Sequence, residues 1–341
     1  MNKKIIALAV AAASASSIAT AAEVYNQDGT RLDIGGRAEF RGDFVGKDDG
    51  TELEGSMNNK SRFRLNVGGE TQVTDNLTGF GFYEGEQGVN SSSSNDANDS
   101  FKQRYAFAGL KGDFGALSFG RQDTAAVQIS QMSDVTTFTG AQKTFIDAGD
   151  EQINNTILYT ADIDDLTLKA SYIAGSEKDT DGYGLSAIYT LPMGLGFGLG
   201  YSEDGKATNG TDGTKGKAVI AGLNYTMDAL YLGATYTQGD TGVNDGDEFN
   251  GMEFAAVYSF DNNFALKGAY QKTEIDPTAG SKYNASDFFE LTGEYNFNSN
   301  LNAYVSYMFN NLDQKDMNMI ITDGYSKDAD DTLRLGLKYS F

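Results

Sequence analysis

The segment Thr332–Phe341, TLRLGLKYSF, alternates with period two. Leu333, Leu335, Leu337, Tyr339 and Phe341 share one parity, and Arg334, Gly336, Lys338 and Ser340 share the other. Successive side chains of a strand point to opposite faces, so this is a ribbon with one oily side and one wet side. Roughly ten residues is the length that a tilted strand needs to cross a bilayer.

The same alternation recurs along the chain. In Arg31–Val45, Leu32, Ile34, Ala38, Phe40 and Phe44 oppose Asp33, Arg37, Glu39, Arg41 and Asp43. In Ser61–Val73, Phe63, Leu65 and Val67 oppose Arg62, Arg64, Asn66 and Glu70. Further segments lie near 77–85, 101–111, 115–121, 153–161, 165–174, 182–190, 195–202, 216–226, 230–238, 250–259, 264–272, 287–297, 301–309 and 332–341, sixteen in all. Short turns are expected at 74–76, 112–114, 162–164, 191–193, 227–229, 261–263 and 298–300, with long polar loops such as 46–60, 86–100, 122–152 and 310–331 between them. Alternating short and long connections between an even number of strands predict an all-β fold, a 16-stranded antiparallel transmembrane β-barrel with short periplasmic turns and long extracellular loops. No fixed repeat period points to a solenoid instead.

Composition agrees. The 341 residues include 41 Gly, 21 Phe and 19 Tyr but only two Pro, Pro192 and Pro277, both in expected turns or loops. Without cysteine, no disulfide framework holds the sheet, which must close on itself. Lys3 and Lys4, the apolar run 5–13 and the small residues Ala19-Thr20-Ala21 read as an export signal, predicting a cleaved signal peptide over 1–21 and a barrel domain over 22–341. Loss of Lys3 and Lys4 would move the net charge from −22 to −24. So acidic a chain lacks the basic footprint that nucleic-acid binding needs. Much of the acid lies in loop segments such as 244–248 and 328–331.

Sixteen strands enclose a space too wide for side chains to fill, so the charged parity should line water and the apolar parity should face lipid. An arginine facing lipid at the midplane costs roughly 2–4 kcal/mol, which directs Arg37, Arg62, Arg64 and Arg104 into the lumen. Tyr225, Tyr236, Tyr258, Phe297 and Phe309, toward strand ends, suit the interfacial girdles. The absence of histidine and cysteine removes Ser-His and cysteine nucleophiles and His/Cys metal sites. Asp179-Thr180-Asp181-Gly182 lacks the later ligands of a calcium loop, and Gly194, Gly196, Gly198 and Gly200 alternate in strand register rather than forming a phosphate loop. No enzyme, cofactor or metal is called for. What remains is an inward basic series, Arg37, Arg62, Arg64, Lys102, Arg104 and Arg121, with Glu84 and Asp134 as acidic candidates. If the loop carrying Asp134 folds into the lumen, the opposed charges set up a transverse field across a narrowed aqueous path.

These residues resemble the trimeric general porins of Gram-negative outer membranes, of the OmpF/OmpC type with OmpU-like relatives. The resemblance is carried by 22–29 (AEVYNQDG), 69–79 (GETQVTDNLTG), 106–111 (AFAGLK) and the closing Tyr339-Ser340-Phe341. It implies a passive diffusion channel, a homotrimer latched by the loop near 86–100, an outer-membrane setting of lipid and lipopolysaccharide, and an inward-folded third loop. It also implies that Arg37, Arg64 and Arg104 form a basic constriction wall, that Arg121 opens the loop, and that Glu84 and Asp134 are lumen acids.

Two positions depart from the pattern. The family's acidic loop tip falls on Thr137, and a basic residue expected at the start of the sixth strand falls near Gln152. The local field should be weaker for it, and the acidic loops argue for a modest cation preference, larger at low salt. Two other readings remain open: a substrate-specific channel, for which Phe80 and Phe82 share the parity of Glu84, and a surface adhesin or phage receptor acting through loops 46–60 and 310–331.

Overall fold

The computed structural model describes residues 21–45, 57–89, 101–206, 215–242, 246–313, 316 and 330–341. The expected export signal, the acidic segments 244–248 and 328–331 and the long loops 46–60, 86–100 and 310–331 therefore lie wholly or partly outside the described residues.

Among the described residues, eighteen strands form one sheet. They are β1 (Ala22–Gln27), β2 (Thr30–Val45), β3 (Asn58–Asn59), β4 (Arg62–Thr74), β5 (Leu77–Gly88), β6 (Phe101–Gly112), β7 (Gly115–Gln122), β8 (Ile153–Ile163), β9 (Leu166–Ile173), β10 (Gly182–Thr190), β11 (Leu195–Lys206), β12 (Lys215–Met227), β13 (Leu230–Asp240), β14 (Glu248–Ser259), β15 (Phe264–Asp276), β16 (Tyr283–Asn296), β17 (Leu301–Asn310) and β18 (Thr332–Ser340). The short β1 and β3 both pair antiparallel with β2, and the other sixteen pair antiparallel in chain order, with β2 meeting β4 directly. The last, β18, returns to β2 from Thr332↔Val45 to Ser340↔Arg37, which closes a 16-stranded barrel and leaves no free edge.

Two short strands escape the sequence reading. Asp28 and Gly29, with φ of 52° and 73°, turn β1 back along β2. Such left-handed turns match the twist of hairpin strands, which is why Asp-Gly suits them. The strand β1 then prolongs the β18 edge, where Gly36 and Phe341 exchange backbone hydrogen bonds at 2.9 and 3.0 Å.

All seven expected short turns join consecutive strands. Left-handed residues sit in several of them, including Gly115, Asp164, Gly194, Asp228 and Asn263, residue types that adopt φ > 0 at least cost.

The barrel is oily outside and polar inside. On β10 and β11, Leu185 and Leu199 are each 60% exposed, while Ser186 and Ser202 on the opposite parity are 2% and 1% exposed. On β14 and β15, Phe254 is 51% exposed beside Glu253 and near Gln271, both at 0%. A soluble fold would invert these faces; a hydrocarbon surround requires them.

Segment 123–152 covers the polar inner wall. It leaves β7, makes one short helix, α1 (Val127–Ser130), and two single 3-10 turns, and rejoins the wall at β8. Glycines on the inner parity clear its path. A Cβ at Gly198 would lie 2.6 Å from Ile129 Cδ1, and one at Gly222 would lie 2.5 Å from Met132 Sδ. Of the alternating glycines of β11, Gly198 and Gly200 thus lie under this loop. Ala126, Ile129 and Met132 pack there with Ile220, and Phe145 stacks on Phe249 at 4.0 Å. These are small apolar cores inside an otherwise polar lumen.

Candidate functional site

The inward arginines of β2, β4 and β6 alternate with glutamates from β2 and β5 in one continuous network. Glu39 lies 3.9 Å from Arg37 Nε, 3.3 Å from Arg41 Nη2 and 2.6 Å from Arg62 Nε. Arg62 Nη1 is 3.5 Å from Glu86, which also accepts from Arg64 Nε. Arg64 Nη1 lies 3.8 Å from Glu84, and Arg104 Nε donates to Glu84 at 2.6 Å. Tyr304 OH bridges the far end, donating to Glu39 at 2.6 Å. Register produces this order: Arg37 pairs with Arg64 across β2 and β4, and Arg64 with Glu86 across β4 and β5.

Arg104 enters by a different device. Glu84 faces Tyr105, and the next step pairs Gly85 with Gln103, so Arg104 is an extra residue in β6. A bulge of this kind re-aims side chains, and here it lets the neighbours Arg104 and Tyr105 both serve the inner face. Five guanidiniums (Arg37, Arg41, Arg62, Arg64, Arg104) meet three carboxylates (Glu39, Glu84, Glu86), and Arg37 Nε has no hydrogen-bond partner among the described residues.

The other sequence candidates lie elsewhere. Lys102 faces Glu86 in register but is exposed at the long-loop end of β6. Arg121 falls at a second register shift, on the parity of outward Phe119, and donates to Gln103 O at 2.8 Å and Asn154 Oδ1 at 3.1 Å. Asp134 is on the inward loop, where Lys143 Nζ joins it at 2.7 Å and Glu151 at 2.8 Å. Although burial works against it, this pair of carboxylates holds the Lys143 ammonium above its ordinary pKa. Gln152, where a base was expected, faces Arg104 with its amide. With the oxygen turned toward the guanidinium it accepts from Nη1 and Nη2 at 3.3 and 3.1 Å.

Four wall residues that sequence reasoning had not singled out as site residues, Glu290, Glu253, Gln271 and Arg334, hold the loop from Thr136 to Ala141, and Asp43 holds Arg334 in turn. Glu290 accepts from Thr136 Oγ1 at 2.5 Å, from Thr137 N and Oγ1 at 3.0 Å each, and from Phe138 N at 3.0 Å. Glu253 accepts from Gly140 N at 2.7 Å and Gln271 from Ala141 N at 3.2 Å. Arg334 binds Asp43 through two contacts of 2.7 and 2.8 Å, donates to Thr137 O at 2.9 Å, and stacks 3.9 Å over the Phe138 ring. Their inward parity was legible; their partners, more than a hundred residues away, were not.

At the loop base, Asp123 accepts from Tyr105 OH at 3.0 Å and Gln152 N at 3.1 Å. Burial, helped by the nearby Glu151, pushes Asp123 up to about 6, and burial lifts Asp150 to about 6 as well. The loop carries Asp123, Asp134, Asp147, Asp150 and Glu151 against Lys143, so an acidic loop lies within a barrel whose β2–β6 wall is basic.

A family model described as Gram-negative porin matches residues 7–315. Among curated proteins, Porin-like protein L of Photobacterium profundum is 36% identical over 354 residues, covering 100% of both chains. Outer membrane protein U of Vibrio vulnificus is 34% identical over 362 residues, again covering 100% of both. Among solved structures, Salmonella typhi OmpF in complex with daunomycin superposes with a TM-score of 0.79 at 24% identity, over 94% of this chain and 100% of that one. The trimer form of Vibrio cholerae OmpT gives 0.69 at 18% identity, over 92% and 100%.

Proposed function

The chain belongs to the Gram-negative porin family, and we propose that solutes cross its barrel through the gap between the Arg37–Arg104 network and the inward loop, with a mild preference for cations. It is an outer-membrane porin, a non-enzymatic channel for passive diffusion. The observation that carries the proposed path is the loop itself, pinned by its tip to Glu290, Glu253 and Arg334 on one side of the lumen. The charged network on β2–β6 is built from other ion pairs, and Asp43 of β2 ties that wall to the anchor Arg334.

In this reading Arg37, Arg62, Arg64 and Arg104 form the basic side with Glu84 interleaved, Asp134 belongs to the acidic side, and Lys102 and Arg121 act nearer the long-loop rim. A field between charged walls orders water and handicaps apolar solutes. The basic excess of the wall opposes the acidic loops, so the net selectivity is small and grows as salt is lowered. The trimer form of the OmpT neighbour supports a homotrimer; we set it in outer-membrane lipid and lipopolysaccharide, with residues 1–21 as the cleaved export signal.

The test is the reversal potential of the purified protein in planar bilayers under a potassium chloride gradient, with cross-linking in detergent for assembly. A small cation-directed potential and a cross-linked trimer are expected. Anion selectivity at low salt would reject the charge assignment.

A further inference from the structure

We propose that Phe80, Phe82, Tyr105 and Phe107 form a weak binding site for planar aromatic carboxylates on the short-turn side of the arginine network. The proposal rests on the channel reading above. These rings are on the inner parity: Phe82 follows Glu84 by two residues toward the 75–76 turn, and register sets Phe82 beside Phe107 and Glu84 beside Tyr105. They form an unbroken track. Arg104 lies 5.7 Å from the Tyr105 ring centroid, Tyr105 is 6.1 Å from Phe82, Phe82 is 5.7 Å from Phe107, and Phe107 is 6.4 Å from Phe80.

The surroundings leave the rings open. Gly68, Phe82, Phe107 and Gly120 form one row across β4–β7, and Gly109 sits beside Phe80 in the next. A Cβ on Gly109 would lie 2.6 Å from Phe80 Cζ, and one on Gly68 would lie 3.5 Å from Phe82 Cδ2, so the rings lean over bare backbone. The inward loop docks on the opposite strands; of the four rings, only Tyr105 hydrogen-bonds to it, through Asp123. On the opposite wall the apolar Ile220 and Phe249 pack against the inward loop, whereas the ring contacts of this strip are with one another.

The ends of the strip set the ligand's charge. Arg104 caps it above, within a network that holds more guanidiniums than carboxylates and in which Arg37 Nε has no hydrogen-bond partner among the described residues. Lys111 lies toward the short-turn end, bonded to Glu70 at 2.6 Å. The flanking glycines offer no side chain to the hydroxyls of a sugar. A flat ring with one carboxylate matches both features: its face meets the phenylalanines and its anion meets the guanidinium end. Binding must stay weak, since a conducting site has to release what it holds.

The test compares sodium 2-naphthoate with its saturated counterpart, decahydro-2-naphthoate, as blockers of single-channel current in potassium chloride, added to each side in turn. The two acids share charge and approximate size but differ in planarity. Naphthoate is expected to interrupt the current with residence times about fivefold longer, the scale of an added aromatic contact. Phe82→Leu and Phe107→Leu, tested separately, are expected to pull that ratio toward one, while Phe119→Leu on the outer face leaves it in place. Equal residence times, or no block by either acid in a channel that conducts potassium chloride, would overturn the site and leave the channel reading standing. Loss of potassium chloride conductance itself would remove both.

Discussion

Glu290 on β16 holds Thr137 at the tip of the inward loop by two hydrogen bonds of 3.0 Å, one from the backbone N–H and one from the hydroxyl. Thr292 and Ser306 donate to the same carboxylate at 2.8 and 2.7 Å, so the anchor is itself fixed. Thr137 is where the family pattern puts an acid. Here that position is turned to the wall and spent on attachment, which removes a charge from the path and stiffens the loop that borders it.

Glu290→Ala should therefore release the tip. It takes the acceptor from two backbone N–H groups and two hydroxyls of the tip, and hydrogen bonds to a charged acceptor are worth roughly 1.5–3 kcal/mol each. Faster amide exchange at 136–140 and a noisier open-channel current are expected. Unchanged exchange protection would show that the loop is held by its apolar contacts alone.

Gly222→Leu attacks the same docking from the other side, by filling the space that Met132 and Ile129 occupy. Overpacking typically costs about 1–3 kcal/mol. The loop should shift from its bed, altering conductance while the barrel keeps its strand content by circular dichroism. Wild-type conductance in this variant would contradict the packing described above.

Arg104→Gln removes the 2.6 Å partner of Glu84 and one of five guanidiniums. The reversal potential should move further toward cations, and more so at low salt. Arg121→Gln should change it less, because Arg121 is bonded to Gln103 and Asn154 rather than to the network. Equal shifts from the two variants would remove the distinction between wall and rim.

Acidification gives a signed prediction. Asp123 and Asp150 have pKa values of about 6 in place of 3.8. Because both are raised, protons bind the docked loop more tightly than the free one; that stabilisation is fully present below about pH 4 and is lost as pH rises through about 6. The same protonation strips negative charge from the loop as pH falls. Cation preference should thus shrink between pH 7.5 and pH 5, and Asp123→Asn with Asp150→Asn should flatten the change. A preference that grows on acidification would refute the assignment.

Much of this architecture could be read from alternation. The parity of Phe40 and Phe63 against Arg37 and Arg64 anticipated which face is exposed, and the Asp and Asn turns fell between the strands they were expected to join. What could not be read has a physical cause in each case. The Arg104 bulge breaks period two, so Arg104 and Tyr105 share a face that strict alternation denies them. Glu39 was visible on the polar parity of its strand, whereas Glu86 was expected in the loop 86–100; only the longer β5 and the register across β2, β4 and β5 show that both interleave with the arginines. Asp134 could be placed on the loop, but its partner Lys143 depends on the turn at Gly140, where φ is 100°. Glu290 and Glu253 are single acids on polar parities, and only the path of the loop reveals what they hold.

In the proposed channel the conducting path runs along the arginine network. The chain has no cysteine, so one introduced thiol can be addressed alone. The most direct measurement is the single-channel conductance and reversal potential of Arg104→Cys before and after reaction with a positively or a negatively charged methanethiosulfonate. A drop in conductance with either reagent is expected, with selectivity following the sign of the adduct. Complete modification that leaves both unchanged would contradict the account.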